Sequence, residues 1–383
     1  MNHRVAETIS VLEQLIGFPT VSDTSNTALI EYISAYCRDF AGLIHRLDDP
    51  QEDKSSLLLR FGPNTPGGIL LSGHTDVVPA GGSGWESDPF TLTRSGDRLY
   101  GRGTADMKGF IAASMAVAVR DADRLRRPVY LALTYNEEVG CLAAPPLIDS
   151  FLPLVSSIDA VIVGEPTGMR PVSGNKGISE YITTFRGKSA HSSKPHLGIN
   201  AIEIAHRYID FILHLAAEFR KEEAADSSCN PPYTSVQVGT ISGGTATNVV
   251  PDYCRVSCDL RSFHTADRLY FEQQMEQTRR SLIQEYGLGD SGIMTTQTCN
   301  VPPLEPRHDS VALQLAAELT GILEPEQVPY ATEAGQFQQA GFSTVILGPG
   351  SIEQAHQVNE WLSVDQLTSA VRFIEKIFSR QMY

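Results

Sequence analysis

Three apolar runs in the first 170 residues each end on groups able to bind a metal. Residues 69–72 (ILLS) lead into His74, 129–135 (VYLALTY) into the pair Glu137 and Glu138, and 160–164 (AVIVG) into Glu165. Short apolar runs bounded by Gly, Pro, Asn and Ser read as buried strands. Helical spacing over 4–17, 26–41 and 107–120 fills the intervals. Strands alternating with helices predict an α/β domain, its sheet mixed or mostly parallel, with helices on both faces. In such a sheet, ligands gather outside the carboxyl ends of the strands.

His74 alone admits two readings. It is a core histidine beside the carboxylate of Asp76, or a metal ligand whose ring a nearby carboxylate orients. Partners elsewhere decide between them. Asp106 stands at a loop-to-helix boundary, and the steps 74 to 106 and 106 to 138 are both 32 residues, one connection plus one element. His356 follows the apolar run 343–347. Two histidines and three carboxylates hold two divalent ions if one carboxylate bridges them. Nitrogen and oxygen donors without thiolate suit zinc, with cobalt or manganese as substitutes. Two adjacent ions acidify a shared water and polarise a carbonyl. A further carboxylate must then take the water's proton, and the neighbours Glu137 and Glu138 can divide the roles of base and ligand.

The pattern changes after residue 176. Strands over 177–186, 233–242, 251–261 and 293–298, with helices over 200–220 and 265–286, give a β-α-β-β-α-β order. That order predicts an antiparallel sheet backed by two helices, an α+β domain of ferredoxin-like type. A chain of 383 residues exceeds one typical domain. The expected division is 1–176 and 300–383 for the first domain, with 177–299 inserted; helices over 310–320 and 364–380 belong to the resumed α/β pattern.

Other classes lose ground. The net charge of −15 argues against nucleic acid or an anionic membrane as the main partner. No run of 18 apolar residues occurs, and the N-terminus has no apolar leader core. Six cysteines without C-x-x-C fit free thiols, so a cytoplasmic location is expected. Gly101 and Gly103 lack the third glycine of a dinucleotide loop, and no Walker loop, H-E-x-x-H or G-x-S-x-G is present.

The motifs GHTDVVP (73–79), YGRGTADMKG (100–109), NEE (136–138), GEPT (164–167), GKSAHSS (187–193) and GPG (348–350) with Ala355 and His356 occur in this order. Together they resemble the dizinc deacylase and aminopeptidase-like family. That family includes acetylornithine deacetylase, succinyl-diaminopimelate desuccinylase, aminoacylase and glutamate carboxypeptidase. The resemblance covers about 70–360 and implies a zinc-hydrolase catalytic domain with an inserted lid and dimerisation domain. It implies that Asp106 bridges two zinc ions, with His74 and Glu165 on one and Glu138 and His356 on the other. Glu137 would be general base and acid, and Asp76 would orient His74. His191 would stabilise the oxyanion, a role an imidazole donor suits. Arg261 and Asn248 would hold the substrate's carboxylate and carbonyl. Gly348 and Gly350 either give backbone donors to that carboxylate or form the turn that places His356.

Thr332, Glu333 and Ala334 are similar to the acetylornithine deacetylase branch, and Glu333 could meet a distal substrate ammonium. The implied activity is removal of acetate from N2-acetylornithine by a homodimer joined through 177–299. The rivals are a deacylase for another N-acyl amino acid, a dipeptidase, and a non-catalytic binding protein on the same fold.

Overall fold

The computed structural model describes residues 3–221 and 229–383. The chain opens with α1 (His3–Ile16), α2 (Thr27–Cys37), β1 (Ala41–Asp48), β2 (Ser55–Phe61) and β3 (Gly68–His74). A hairpin of β4 (Thr93–Ser95) and β5 (Arg98–Tyr100) precedes α3 (Gly109–Asp121), β6 (Val129–Thr134), α4 (Ala144–Phe151), β7 (Ile158–Pro166) and β8 (Val172–Asn175). Next come β9 (Gly177–Arg186), α5 (Ala201–Phe219), β10 (Ser235–Gly243), β11 (Tyr253–Ser262), α6 (Thr265–Tyr286) and β12 (Ile293–Val301). The chain closes with α7 (Val311–Thr320), β13 (Glu326–Val328), α8 (Ala334–Gln339), β14 (Thr344–Gly348), β15 (Trp361–Ser363) and α9 (Val364–Gln381).

Two compact units result. One comprises 1–174, 306–326 and 332–383; the other comprises 175–305 and 327–331. In the first, eight strands run in the order β1-β2-β6-β3-β7-β14-β8-β13. The centre, β6-β3-β7-β14, is parallel, and β2 and β8 join it antiparallel. The central strands read as unbroken apolar runs because both faces are covered. Leu57, Leu59, Ile69, Leu71, Leu131 and Leu133 face a core shared with α1, α2, α3, α7 and α9. Leu147, Ile148 and Phe151 of α4 and Phe337 of α8 are buried on the opposite face, joined by Phe342 against Phe151 and Phe337. The register sets His74 beside Thr134, and Gly348 beside Pro166. The carboxyl ends of four parallel strands therefore share one edge.

The second unit is a four-stranded antiparallel sheet, β10-β11-β9-β12, so its strands run 2-3-1-4 in their own order. Alternate residues Cys254, Val256, Cys258 and Leu260 turn inward and meet Tyr208 and Ile212 of α5 and Phe271 and Met275 of α6. Asn200 caps α5 by accepting the N–H groups of Ile202 and Glu203, an arrangement worth about 1 kcal/mol.

Two expectations change. The helix expected over 26–41 stops at Cys37, and Ala41–Asp48 forms an edge strand that the sequence reading did not include. The helix expected from residue 107 begins at Gly109, because Thr104–Lys108 forms a tight turn with non-helical backbone at Asp106 and Met107.

Candidate metal centre

The carboxyl edge of the sheet gathers the expected groups of the first unit. His74 ends β3, Glu165 lies in β7, and Glu137 and Glu138 follow β6 by three and four residues. Asp106 comes from the turn before α3, and His356 from the loop between β14 and β15. Two clusters form, His74 with Asp106 and Glu165, and Asp106 with Glu138 and His356, each with donor atoms within 4.8 Å of one another. Asp106 belongs to both. Its Oδ1 lies 2.9 Å from His74 Nε2, and its Oδ2 lies 3.4 Å from His356 Nε2. His74 Nε2 is 3.8 Å from Glu165 Oε1, and His356 Nε2 is 2.9 Å from Glu138 Oε2.

Several observations fit cations in these clusters. His74 Nδ1 donates to the backbone carbonyl of Asp76 at 2.9 Å, which leaves Nε2 as the ligand nitrogen facing the carboxylates. Glu138 Oε1 and Glu165 Oε1 are buried with no hydrogen-bond partner among the described residues, costly for carboxylates unless something else meets them. Burial, reinforced by neighbouring carboxylates, holds the carboxyls of Glu137, Glu138 and Glu165 above the usual range despite the imidazoles nearby. Burial opposes the His74 imidazolium, yet Glu165, Asp106 and Asp76 hold its pKa well up. Hydrogen bonds to Asp106 and then Glu138 raise His356 to about 10. Burial disfavours the Asp106 anion, but hydrogen bonds from His356 and His74 hold its carboxyl below the usual range. The site has a surplus of buried negative charge that divalent cations would neutralise.

Asp76 does more than face a ring. Its Oδ1 is 3.6 Å from His74 Nδ1, farther than its own carbonyl oxygen. Its carboxylate accepts the N–H of Glu137 at 3.2 Å, the N–H of Glu138 at 3.3 Å and the Ser22 hydroxyl at 2.8 Å. A single side chain therefore joins the end of β3 to the turn carrying the two glutamates. The buried Lys54 donates to Ser22 O at 2.6 Å and to Asn136 Oδ1 at 2.9 Å, anchoring the same turn. Asn136 has φ of 56° and His356 has φ of 60°, left-handed backbone that costs non-glycine residues about 1 kcal/mol or more.

Glu333 lies close enough to act on His74 and Asp76. Glu333 is 1% exposed, and the Ser72 hydroxyl donates to its Oε2 at 3.4 Å. Burial raises its carboxyl to about 7. Gly348 and Gly350 are expected either as backbone donors to a substrate or as the turn that places His356. Gly348 N–H donates to Thr167 Oγ1 at 3.2 Å and Gly350 N–H to Gln366 Oε1 at 3.3 Å, so both are engaged within the protein. Glycine is needed for other reasons. A Cβ at Gly348 would lie 2.0 Å from Gly164 O, and Gly350 has φ of +89°.

His191, Asn248 and Arg261 belong to the second unit. There His191 forms an antiparallel bridge with Val249, and Ser192 N–H donates to Asn248 O at 3.0 Å; both His191 and Asn248 are exposed. Ser193 N–H donates to His191 Nδ1 at 3.2 Å. Arg261 Nε donates to both carboxylate oxygens of Asp259, at 2.9 and 3.1 Å.

Sequence reasoning did not single out Arg102, Cys141 or Glu360. The Cys141 thiol donates to Glu137 Oε1 at 3.4 Å. Arg102 and Glu360 form a buried ion pair at 2.8 Å. Arg102 lay inside a quoted motif; Glu360 and Cys141 carried no sequence signal.

This fold and this paired cluster define a metal-dependent amidohydrolase class, and comparisons with known proteins agree. The model for "Peptidase family M20/M25/M40" matches residues 70–380. An acetylornithine deacetylase of Pasteurella multocida (strain Pm70) is 33% identical, covering 98% of both chains. The aminopeptidase PepT structure from Bacillus cereus superposes with a TM-score of 0.77 at 18% identity, covering 99% of both chains. The YXEP protein of Bacillus subtilis, described as a dinuclear metal binding peptidase, gives 0.69 at 16% identity, covering 98% of this chain and 97% of that one. The chain belongs to peptidase family M20/M25/M40.

Proposed function

We propose that the protein is a dizinc deacylase that releases acetate and L-ornithine from N2-acetyl-L-ornithine, a step of arginine biosynthesis. The reading rests first on Asp106, whose two carboxylate oxygens face the two clusters. His74 and Glu165 would hold one ion with Asp106, and Glu138 and His356 the other. Bound there, two divalent ions supply a polarised amide carbonyl and a water acidic enough to attack it near neutral pH.

Glu137 is assigned the proton transfers. Its Oε1 accepts the Cys141 thiol, so Oε2 is assigned to take the water's proton and return it to the leaving nitrogen. Its raised pKa, caused first by burial, favours that exchange. His191 is assigned to the oxyanion. Its Nδ1 is engaged by Ser193 N–H, which leaves Nε2 as the nitrogen assigned to donate to the oxyanion. Asn248, bonded through its backbone to Ser192, is assigned to the substrate carbonyl and Arg261 to its carboxylate. A homodimer joined through 177–299 is part of the proposal, and the exposure of His191 and Asn248 is compatible with their acting on a partner's site; the catalytic domain is taken as 1–176 and 300–383. Glu333 is assigned to the distal ammonium, for which a buried carboxylate with an unpartnered oxygen is suited. Among the described residues no helix is long and apolar enough to cross a membrane, and a cytoplasmic location is part of the proposal.

The test combines metal analysis with a panel of acetyl, succinyl and formyl amino acids. Two zinc ions per chain and the highest kcat/KM on N2-acetylornithine are expected. A higher value on a succinylated substrate or a dipeptide overturns the substrate assignment. Glu137→Ala should keep both ions and lose at least about 100-fold in kcat; retained turnover overturns its role.

A further inference from the structure

We infer that Glu360 is a positioning residue that sets the Asp106 carboxylate between the two ion positions. The inference rests on the dizinc reading of the site. The turn before α3 departs from helical backbone at Asp106 and Met107; Lys108 N–H still donates to Gly103 O at 2.8 Å, but the amides of Gly103, Ala105 and Asp106 look outside the turn for acceptors. Three of its amides point at one carboxylate. Glu360 Oε2 accepts Gly103 N–H at 2.9 Å, and Oε1 accepts Ala105 N–H at 2.9 Å and Asp106 N–H at 3.1 Å. Arg102 Nη1 supplies a fourth donor, to Oε2 at 2.8 Å. Glu360 is 1% exposed, so water does not compete for these bonds.

The carboxylate also joins two ligand loops. Glu360 lies four positions after His356, and its backbone carbonyl accepts Gly101 N–H at 3.0 Å. The Asp106 and His356 loops are thereby held through one residue 254 positions from Asp106. Both belong to the cluster with Glu138. His74 and Glu165 are fixed independently by the strands β3 and β7. Displacing the Asp106 loop should therefore weaken the Glu138–His356 position more than the His74–Glu165 position. A ligand set whose supporting shell is disturbed commonly loses about 10–100-fold in metal affinity.

Glutamine at 360 keeps the size of the side chain and replaces one accepting oxygen with a donor. Two of the four bonds then set donor against donor. Zinc titration of metal-free Glu360→Gln against a chelating dye, with circular dichroism to verify folding, is the test. Weaker binding of the second ion by about 10-fold or more is expected, with a smaller change in the first. After reloading, kcat should fall more than KM rises.

Unchanged affinities in folded Glu360→Gln overturn the inference. If that variant does not fold, Arg102→Lys is read instead, since it disturbs one donor of four. A several-fold weakening confined to the second ion supports the inference, and unchanged affinities overturn it. A wild-type protein that binds no zinc overturns the metal reading itself. A wild type that binds two ions, with unaltered variants, overturns only the role of Glu360.

Discussion

The two halves of the candidate metal centre share Asp106 and little else. His74 and Glu165 stand on adjacent parallel strands, with side chains 1% and 6% exposed. Their positions are fixed by the strand ladder and by packing on both faces of the sheet. His356 stands on a loop in left-handed backbone, and its side chain is 51% exposed. Its partner Glu138 lies in a turn held by Asp76 and Lys54. One half is built into the least deformable part of the molecule; the other is assembled from loops pinned by buried side chains. The contrast predicts a tightly held ion on the strand side and a more exchangeable one on the loop side.

The largest expected effect separates the halves directly. His74→Ala leaves Asp106 and Glu165 buried without their nearest imidazole. It should destabilise the metal-free protein by about 3–5 kcal/mol, the scale for orphaning a buried charge. His356→Ala removes a side chain that is itself 51% exposed, so water can enter the space it leaves beside the buried Asp106 and Glu138; the cost should be smaller, about 1–2 kcal/mol. Thermal unfolding with and without chelator, plus metal content per chain, measures both. His74→Ala should also lose the strand-side ion, and His356→Ala only the other. Equal losses would break the distinction.

Asp76 tests the link between the halves. Asp76→Asn keeps one accepting oxygen for the Glu137 and Glu138 amides and puts a donor where the second was. With His74 Nδ1 still bonded to the carbonyl of residue 76, the strand-side ion should stay. The turn carrying the base should shift, lowering kcat by about 10–100-fold with KM little changed. Loss of the strand-side ion instead would show that the carboxylate acts mainly on His74.

The same contrast marks what was legible in the sequence. The α/β class showed itself because buried parallel strands are continuous apolar runs with ligand-type residues at their ends. That pattern put His74, the pair Glu137 and Glu138, and Glu165 at strand ends; which glutamate of the pair is the ligand came only from the resemblance. Ala41–Asp48 escaped because it is an edge strand whose inward residues, Ala41, Leu43, His45 and Leu47, are only partly buried and include a histidine. The supports of the loop half escaped for another reason. Glu360, Arg102 and Cys141 act through contacts with distant backbone or side chains, and their residue types carry no periodicity. Gly348 and Gly350 showed a turn, but only coordinates reveal that their N–H groups already have acceptors.

The smallest effect concerns the charge beneath the strand-side half. Glu333 is buried, with its carboxyl raised to about 7 from the ordinary 4.5, chiefly by desolvation. Between those values the unfolded chain has lost this proton and the folded chain keeps it. Folding then binds a proton, so stability falls as pH rises through this window and levels off above about 7. Glu333→Gln removes that contribution. The difference in stability between variant and wild type, measured without metal, should therefore shift in favour of the variant between pH 4.5 and 7 and be flat below. A flat difference throughout would mean that Glu333 is already ionised in the folded protein, matched by a positive charge nearer than His74. The strand-side half would then be less starved of cations than its buried carboxylates imply.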